Sequence, residues 1–251
     1  MPFPAKKKVF DAALTAAILY SSETWLSPAA CKAAAPLYAD CVRTLLGVRK
    51  TTATELCMVE IGVPTLSQRV GTLHKSAIEK LTTQRANLLD DPFTFALSVA
   101  RETRCPAAHY IDVLHEYNPE AETALLHERI QQSDRSKYMT YVQKMNPSLS
   151  VHDMYALNDA DETRRLTTIR IRLSSHNRAI ERGRWSRIPR EERLCSCGAI
   201  QDEEHISARC PTTNGIRDSH PDIDFSFPAI MQSPPPRIML SLFHELYYNF
   251  V

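Results

Sequence analysis

Glycine is scarce in this chain, with six among 251 residues. Those six form neither a GxGxxG nor a GxxxxGK run, so the backbone loops that cradle nucleotide phosphates are excluded. No stretch approaches the roughly 18–20 uncharged apolar residues needed to span a bilayer. The N-terminal run MPFPAKKKVFDAALTAAILY has the lysines and apolar residues of a secretion signal. Asp11 interrupts it, however, and Ser21-Ser22-Glu23 offers no small-residue cleavage site, so it reads as an amphipathic helix. Of the seven cysteines, Cys31, Cys41, Cys57 and Cys105 are scattered through helix-like contexts. An odd, dispersed set does not make a secreted disulfide scaffold. The expected compartment is reducing, nucleus or cytoplasm. No Ser/His/Asp set stands out, and His109, His115 and His127 read as ordinary helix histidines.

Lysine is missing from one place where charge is dense. Residues 164–193 hold ten arginines, no lysine and three acids (Glu181, Glu191, Glu192), a local charge of +7. The whole chain carries only +1, so a single basic segment sits on a slightly acidic body, which makes the surface directional. Arginine's planar fork suits bidentate phosphate contact better than a lysine point charge does.

Periodicity is helical almost throughout, and the expected fold is mainly α. Phe10, Ala13, Leu14, Ala17 and Ile18 follow the i, i+3, i+4, i+7 rule, as do Val70, Leu73, Ala77, Ile78 and Leu81. Asp91-Pro92 reads as an N-cap followed by a first-turn proline, and Pro106 opens a helix in the same way. Further helices are predicted over Glu120–Gln131 and Lys137–Met145. At about 100° per residue, a helix over 166–182 places Leu166, Ile169, Leu173 and Ile180 on one side. Arg164, Arg165, Arg172, Arg178 and Arg182 fall on the other; Arg170 is marginal and Ile171 is misplaced among the arginines. Gly183 is the predicted stop. Residues 211–236 read as an irregular proline-rich linker, followed by a short helix using Ile238, Leu242, Phe243 and Leu246. Four regions result: helices over 1–90, a helical connector over 91–160, the arginine-rich helix and cysteine cluster over 161–215, and the linker with its last helix over 216–251.

The cluster itself is Cys195-x-Cys197-x7-His205-x4-Cys210. Two close soft ligands, a gap long enough to reverse the chain, and a His/Cys pair form the layout of a tetrahedral zinc site. A fully protein-ligated site leaves no open position, so its expected role is structural. On an ideal helix Cys210 would lie about 140° from His205, so the helix has to loosen between them. The one-residue Cys-x-Cys gap makes Cys197 the weakest ligand. Beside the cluster, Arg184, Trp185 and Arg187 offer guanidinium groups around a ring that could stack on a base or anchor a core.

Two separated stretches resemble one family. KKKVFDAALTAAILYSSETWL followed by CVRTLLGVRKTTATELCMVEIGVPTL is similar to the region after the polymerase palm in reverse transcriptases of LINE-type (non-long-terminal-repeat) retrotransposons. Tyr20, Glu23, Thr24 and Trp25 match a motif that begins the thumb there. RLTTIRIRLSSHNRAIERGRWSRIPREERLCSCGAIQDEEHISARCP resembles the C-terminal basic and zinc-knuckle region of those proteins, with Cys195, Cys197, His205 and Cys210 on the motif. The resemblance implies a thumb-like helical region, a zinc knuckle and contact with RNA or DNA. Fingers, palm, endonuclease and the catalytic aspartate pair have no counterpart. Tyr38-Ala39-Asp40 imitates a polymerase box, but Cys41 stands where the second carboxylate belongs. The chain is therefore expected to be a non-catalytic piece of such a polyprotein, with no small-molecule substrate and no membrane partner. The rival expectation is a helical protein-interaction scaffold whose zinc is purely structural, and the two differ in whether the arginine face is free or packs inward.

Overall fold

The structure, a computed structural model, describes residues 1–20, 28–85, 92–104 and 116–248. The expected Asp91 cap, the helix from Pro106, and Glu23, Thr24 and Trp25 lie outside these residues. The molecule is mainly helical, as the periodicity requires. Among the described residues no strand forms beyond one isolated antiparallel bridge, Leu194 to Ile200. No helix there is long and apolar enough to cross a membrane.

Helix α1 (Phe3–Val9) runs on through a π-helical segment (Phe10–Thr15) and a last α turn (Ala16–Ile18). The π segment changes which face is buried. Phe3, Phe10, Thr15 and Leu19 point inward, while Leu14 is exposed. An α-period reading put Leu14 in the core; the extra residue in the wide turn rotates the face by one position.

Helix α2 (Pro28–Leu46) contributes Tyr38, Val42 and Leu46 to the core. The polymerase-like tripeptide lies in its middle, with Asp40 accepting a hydrogen bond from Arg43 at 3.0 Å. Helix α3 (Thr54–Ile61) is buried from Leu56 to Ile61, so it is a core helix with no solvent face. Gly62 ends it in the left-handed conformation (φ 60°), letting the Val63 N–H reach the Met58 carbonyl at 2.9 Å. Helices α4 (Leu66–Arg85), α5 (Pro92–Glu102) and α6 (Pro119–Gln131) follow. Asn118 caps α6 by accepting from the Glu120 and Ala121 N–H groups. Helix α7 (Ser136–Thr140) continues as a π segment, Tyr141–Met145.

The predicted helix over 166–182 is two helices. α8 (Glu162–Arg172), capped by Asp161, stops at Leu173; after a tight loop, α9 (Ala179–Trp185) begins. α9 runs through Gly183, the expected stop, to Trp185. Gly183 serves packing instead, since a Cβ there would meet the Arg193 side chain at 2.6 Å. The stretch predicted to be a linker is built into the body. It forms α10 (Asn214–Asp218) and α11 (Ala229–Gln232) and buries Phe225, Ile230 and Met231. Helix α12 (Pro236–Tyr248) then packs against α8 more extensively than any other described helix pair. It buries Met239, Leu240, Leu242, Phe243 and Leu246 but leaves Ile238 exposed. One hydrophobic cluster runs from Phe3 to Leu246, so the four sequence regions share a core.

At the centre of that core is an ion pair. Arg172, expected on the outer face, is 2% exposed and donates to Glu60 of α3 from Nε at 2.5 Å and from Nη2 at 3.2 Å. Glu60 also accepts from Tyr141 Oη at 2.6 Å and Tyr155 Oη at 3.0 Å. Arg172 Nη1 donates to the Met145 carbonyl at 3.1 Å. Burial, reinforced by the neighbouring carboxylate, pushes both tyrosine hydroxyls well above their ordinary pKa, which keeps them as donors. Removing one member leaves the other charge buried without a partner, at a cost of about 3–5 kcal/mol. Arg172→Met and Glu60→Gln should therefore each lower the unfolding midpoint sharply in thermal and denaturant titrations. Glu60→Leu with Arg172→Met should recover only part of the loss, because Tyr141 and Tyr155 keep buried hydroxyls without an acceptor. A negligible shift in either single variant would show that the pair is not structural.

Candidate metal centre and arginine face

Cys195 and Cys197 sit in a tight turn. The Gly198 N–H donates to the Cys195 carbonyl at 2.9 Å, and the Cys195 N–H donates to the Ala199 carbonyl at 2.7 Å. Gly198 takes φ 88°, a conformation few other residues adopt. Asp202 then caps the next helical turn by accepting from the His205 N–H at 2.9 Å. His205–Arg209 is a π-helical turn, and the Cys210 N–H donates to the His205 carbonyl at 2.7 Å. An i to i+5 closure brings residues five apart towards one side, which removes the mismatch an α-helix would impose between His205 and Cys210. Pro211 holds Cys210 extended and ends the turn.

The four potential ligand atoms lie within 4.8 Å of one another. Cys195 Sγ is 3.7 Å from Cys210 Sγ, Cys210 Sγ is 4.0 Å from Cys197 Sγ, and Cys197 Sγ is 3.2 Å from His205 Nε2. A tetrahedron of zinc–sulfur bonds near 2.3 Å has sulfur–sulfur edges of about 3.8 Å. A disulfide would need about 2.05 Å, and these cysteines are free. The donor set therefore fits a tetrahedral, thiophilic ion, and Cys197 belongs to it despite its exposure. Burial works to raise the Cys195 thiol, but hydrogen bonds from the Cys197 N–H, His205, Ser196 and Cys210 outweigh it and bring it down to about 6. Burial and the neighbouring Cys195 sulfur push the Cys210 thiol the other way, so of this pair Cys195 gives up its proton first.

Arg217, which the sequence gave no reason to single out, braces this turn. Its guanidinium donates to the Ser207 carbonyl at 3.1 Å, Thr213 Oγ1 at 2.7 Å and the Cys210 carbonyl at 2.7 Å. Glu203 and Gln201 tie the module to the body. Glu203 Oε1 meets His176 Nε2 at 2.9 Å, and Gln201 Oε1 accepts from the Ala179 N–H at 2.7 Å. Burial acts to raise the Glu203 carboxyl, yet hydrogen bonding to His176 and Ser174 and the attraction of the imidazole hold it near 2.

The arginines divide. Arg165 is fully buried, donating to Glu162 at 2.9 Å and to the Leu157 carbonyl at 3.0 Å. Arg172 belongs to the core pair, and Arg178 is buried with its guanidinium 4.6 Å from the Tyr247 ring centroid. These three, expected on the outer face, are buried: Arg165 and Arg172 because α8 is covered on several sides with α12 along it, and Arg178, at the start of α9, because it packs against Tyr247 of α12. Ile171, misplaced on the wheel and buried, was the sequence sign that this side is also interior. Arg164, Arg182 and Arg187 are exposed, and Arg184 is half-buried with a 2.8 Å ion pair to Glu181. Trp185 is 47% exposed, so it is no core anchor. The Arg49 guanidinium lies 3.8 Å from its ring centroid. Arg49 comes from the loop after α2, and nothing in the sequence linked it to Trp185.

If the four ligand atoms act together, protein purified without chelator should carry about one zinc per chain by elemental analysis. Cys210→Ser and His205→Ala should abolish that stoichiometry and expose residues 190–215 to proteolysis. Metal content indistinguishable from background in the wild type would refute the site.

No protein-family model, no curated protein and no solved structure matches this chain, so its role rests on the chemistry of these residues.

Proposed function

We propose that this chain is a non-catalytic, helical nucleic-acid-binding module whose C-terminal part is folded around a structural zinc ion. Cys195, Cys197, His205 and Cys210 would hold the ion. With all four positions filled by protein, it supplies folding free energy and leaves no site for an activated water. The observation that carries the nucleic-acid reading is Trp185, a half-exposed ring backed on one side by the Arg49 guanidinium. Arg182 and Arg187 stand exposed on the same short segment, and Lys50 is exposed beside Arg49. A ring among cations suits an unpaired base flanked by phosphates. Arg187 also takes a left-handed backbone (φ 54°) where glycine is usual. Strain of that kind tends to gather at functional sites.

The resemblance to the C-terminal region of LINE-type reverse transcriptases supports the same reading. In that architecture the region would help hold template RNA or target DNA while the polymerase acts elsewhere. Arg164, Arg182, Arg184, Arg187 and Trp185 remain the proposed contacts. Arg165, Arg172 and Arg178 are withdrawn from that set by their burial. Those same inward arginines favour the second reading, a protein-interaction scaffold, because they spend their charge on the interior.

Salt separates the two. With about four cationic contacts to a single strand, raising salt from 50 to 200 mM should weaken binding roughly fiftyfold. Arg182→Glu with Arg187→Glu should cut both affinity and the slope of log affinity against log salt, without moving the melting temperature. Trp185→Ala should cost about 1–3 kcal/mol of single-strand affinity. Fluorescence anisotropy with labelled oligonucleotides measures all three. Binding that is absent, or indifferent to these changes, would leave the scaffold.

A further inference from the structure

Both halves of the Arg49–Trp185 stack are tied to the cysteine–histidine module, by different straps. Trp185 ends α9, and α9 is held at its start by Gln201, which accepts from the Ala179 N–H at 2.7 Å. Arg193 holds it further along, donating from Nη1 to the Ile180 carbonyl at 2.9 Å and lying against Gly183. Arg49 is held from the other side. Its Nη1 donates to the His176 carbonyl at 3.0 Å, and its backbone N–H donates to Ser175 Oγ at 3.0 Å. His176 Nδ1 lies 3.3 Å from the Arg178 backbone nitrogen, and its Nε2 meets Glu203 Oε1 at 2.9 Å. Glu203 stands two residues before His205 on the turn that Asp202 caps, and it also accepts from Ser174 Oγ at 3.2 Å.

We infer that Trp185 and Arg49 form a shelf for one unpaired nucleobase, and that Glu203, His176 and Gln201 position the shelf from the metal module. This rests on the nucleic-acid reading and deepens it. Arg49 covers one ring face and leaves the base to stack on the other, with its positive charge close to the stacked pair. The side chains carrying the straps touch neither base nor metal. They fix where the two halves meet, so a module that loosens without its ion lets ring and guanidinium separate. The sequence places Arg49 more than a hundred residues from Trp185, and the 174–177 loop, clasped by Glu203, helps bring them together.

The test uses the full chain with Trp25→Phe, which leaves Trp185 as the sole tryptophan. Glu203→Ala cuts the strap to Arg49, and Gln201→Ala loosens the one to Trp185, which Arg193 holds in part. In either variant, with zinc content and helical circular dichroism retained, acrylamide quenching of Trp185 should rise. Affinity for a short oligothymidylate should fall roughly tenfold, the worth of a stacked base. The slope against salt should stay unchanged, since no phosphate contact is removed. If Glu203→Ala does not fold or loses its zinc, Gln201→Ala decides. Chelation of the Trp25→Phe parent should raise quenching in the same direction. Unchanged quenching in a zinc-loaded strap variant would overturn the positioning role. Increased quenching in a chain whose parent binds no oligonucleotide would keep the straps but overturn the base shelf, and with it the nucleic-acid function.

Discussion

The buried carboxylate of Glu60 is the constraint around which the described body is organised. A charge in a core helix is costly unless every lone pair finds a donor. Here Arg172, Tyr141 and Tyr155 supply four hydrogen bonds. Those donors come from three separate parts of the chain, the π turn after α7, the loop before α8, and α8 itself. Satisfying one acid therefore fixes the relative placement of α3, α7 and α8. The arginine in turn reaches the Met145 carbonyl and lies 3.9 Å from Met231 Sδ in α11. Such a pair adds little net stability over a well-packed apolar core, but it penalises every arrangement that leaves it unpaired.

That arrangement has a consequence for the site. Because most of α8 is spent on the core, the exposed arginines contract from a long face to Arg164 in its first turn and a small cluster at the end of α9. The cluster is next to the cysteine–histidine module in sequence and strapped to it in space. Structural zinc sites contribute folding free energy outright, so a metal that orders residues 190–215 also supports the straps from Gln201, Glu203 and Arg193. The proposed binding surface and the cysteine–histidine module would then form one mechanical unit, while the helices of the first half provide the platform from which Arg49 reaches across.

Among the described residues, three π-helical segments mark where the chain departs from simple periodicity. In α1 the wide turn exchanges Leu14 for Thr15 in the core. After α7 it presents Tyr141 to Glu60. At His205–Arg209 it closes the ligand cluster. Each follows from a local hydrogen-bond shift of one residue, which an amino-acid pattern read at 100° per residue has no means to register. The same blindness explains the single helix expected over 166–182. The break at Leu173 depends on Ser174 accepting φ 46° while its hydroxyl reaches Glu203, a contact between distant residues.

The sequence by itself determined the helical class, the four clustered ligand residues and the side chains beside them. Spacing in Cys195-x-Cys197-x7-His205-x4-Cys210 is a local property, and ligand chemistry depends on residue type. Tertiary structure alone decided which arginines are available. A helical wheel assigns faces relative to one neighbour, and α8 has several, so Arg165 and Arg172 are turned inward while Arg182 and Arg187 stay out. Two residues hinted at this in the sequence, Ile171 on the wrong side of the wheel and Glu60 alone in an apolar run. Neither hint names its partner, because a buried charge finds its counterion through space, and Glu60 and Arg172 are 112 residues apart.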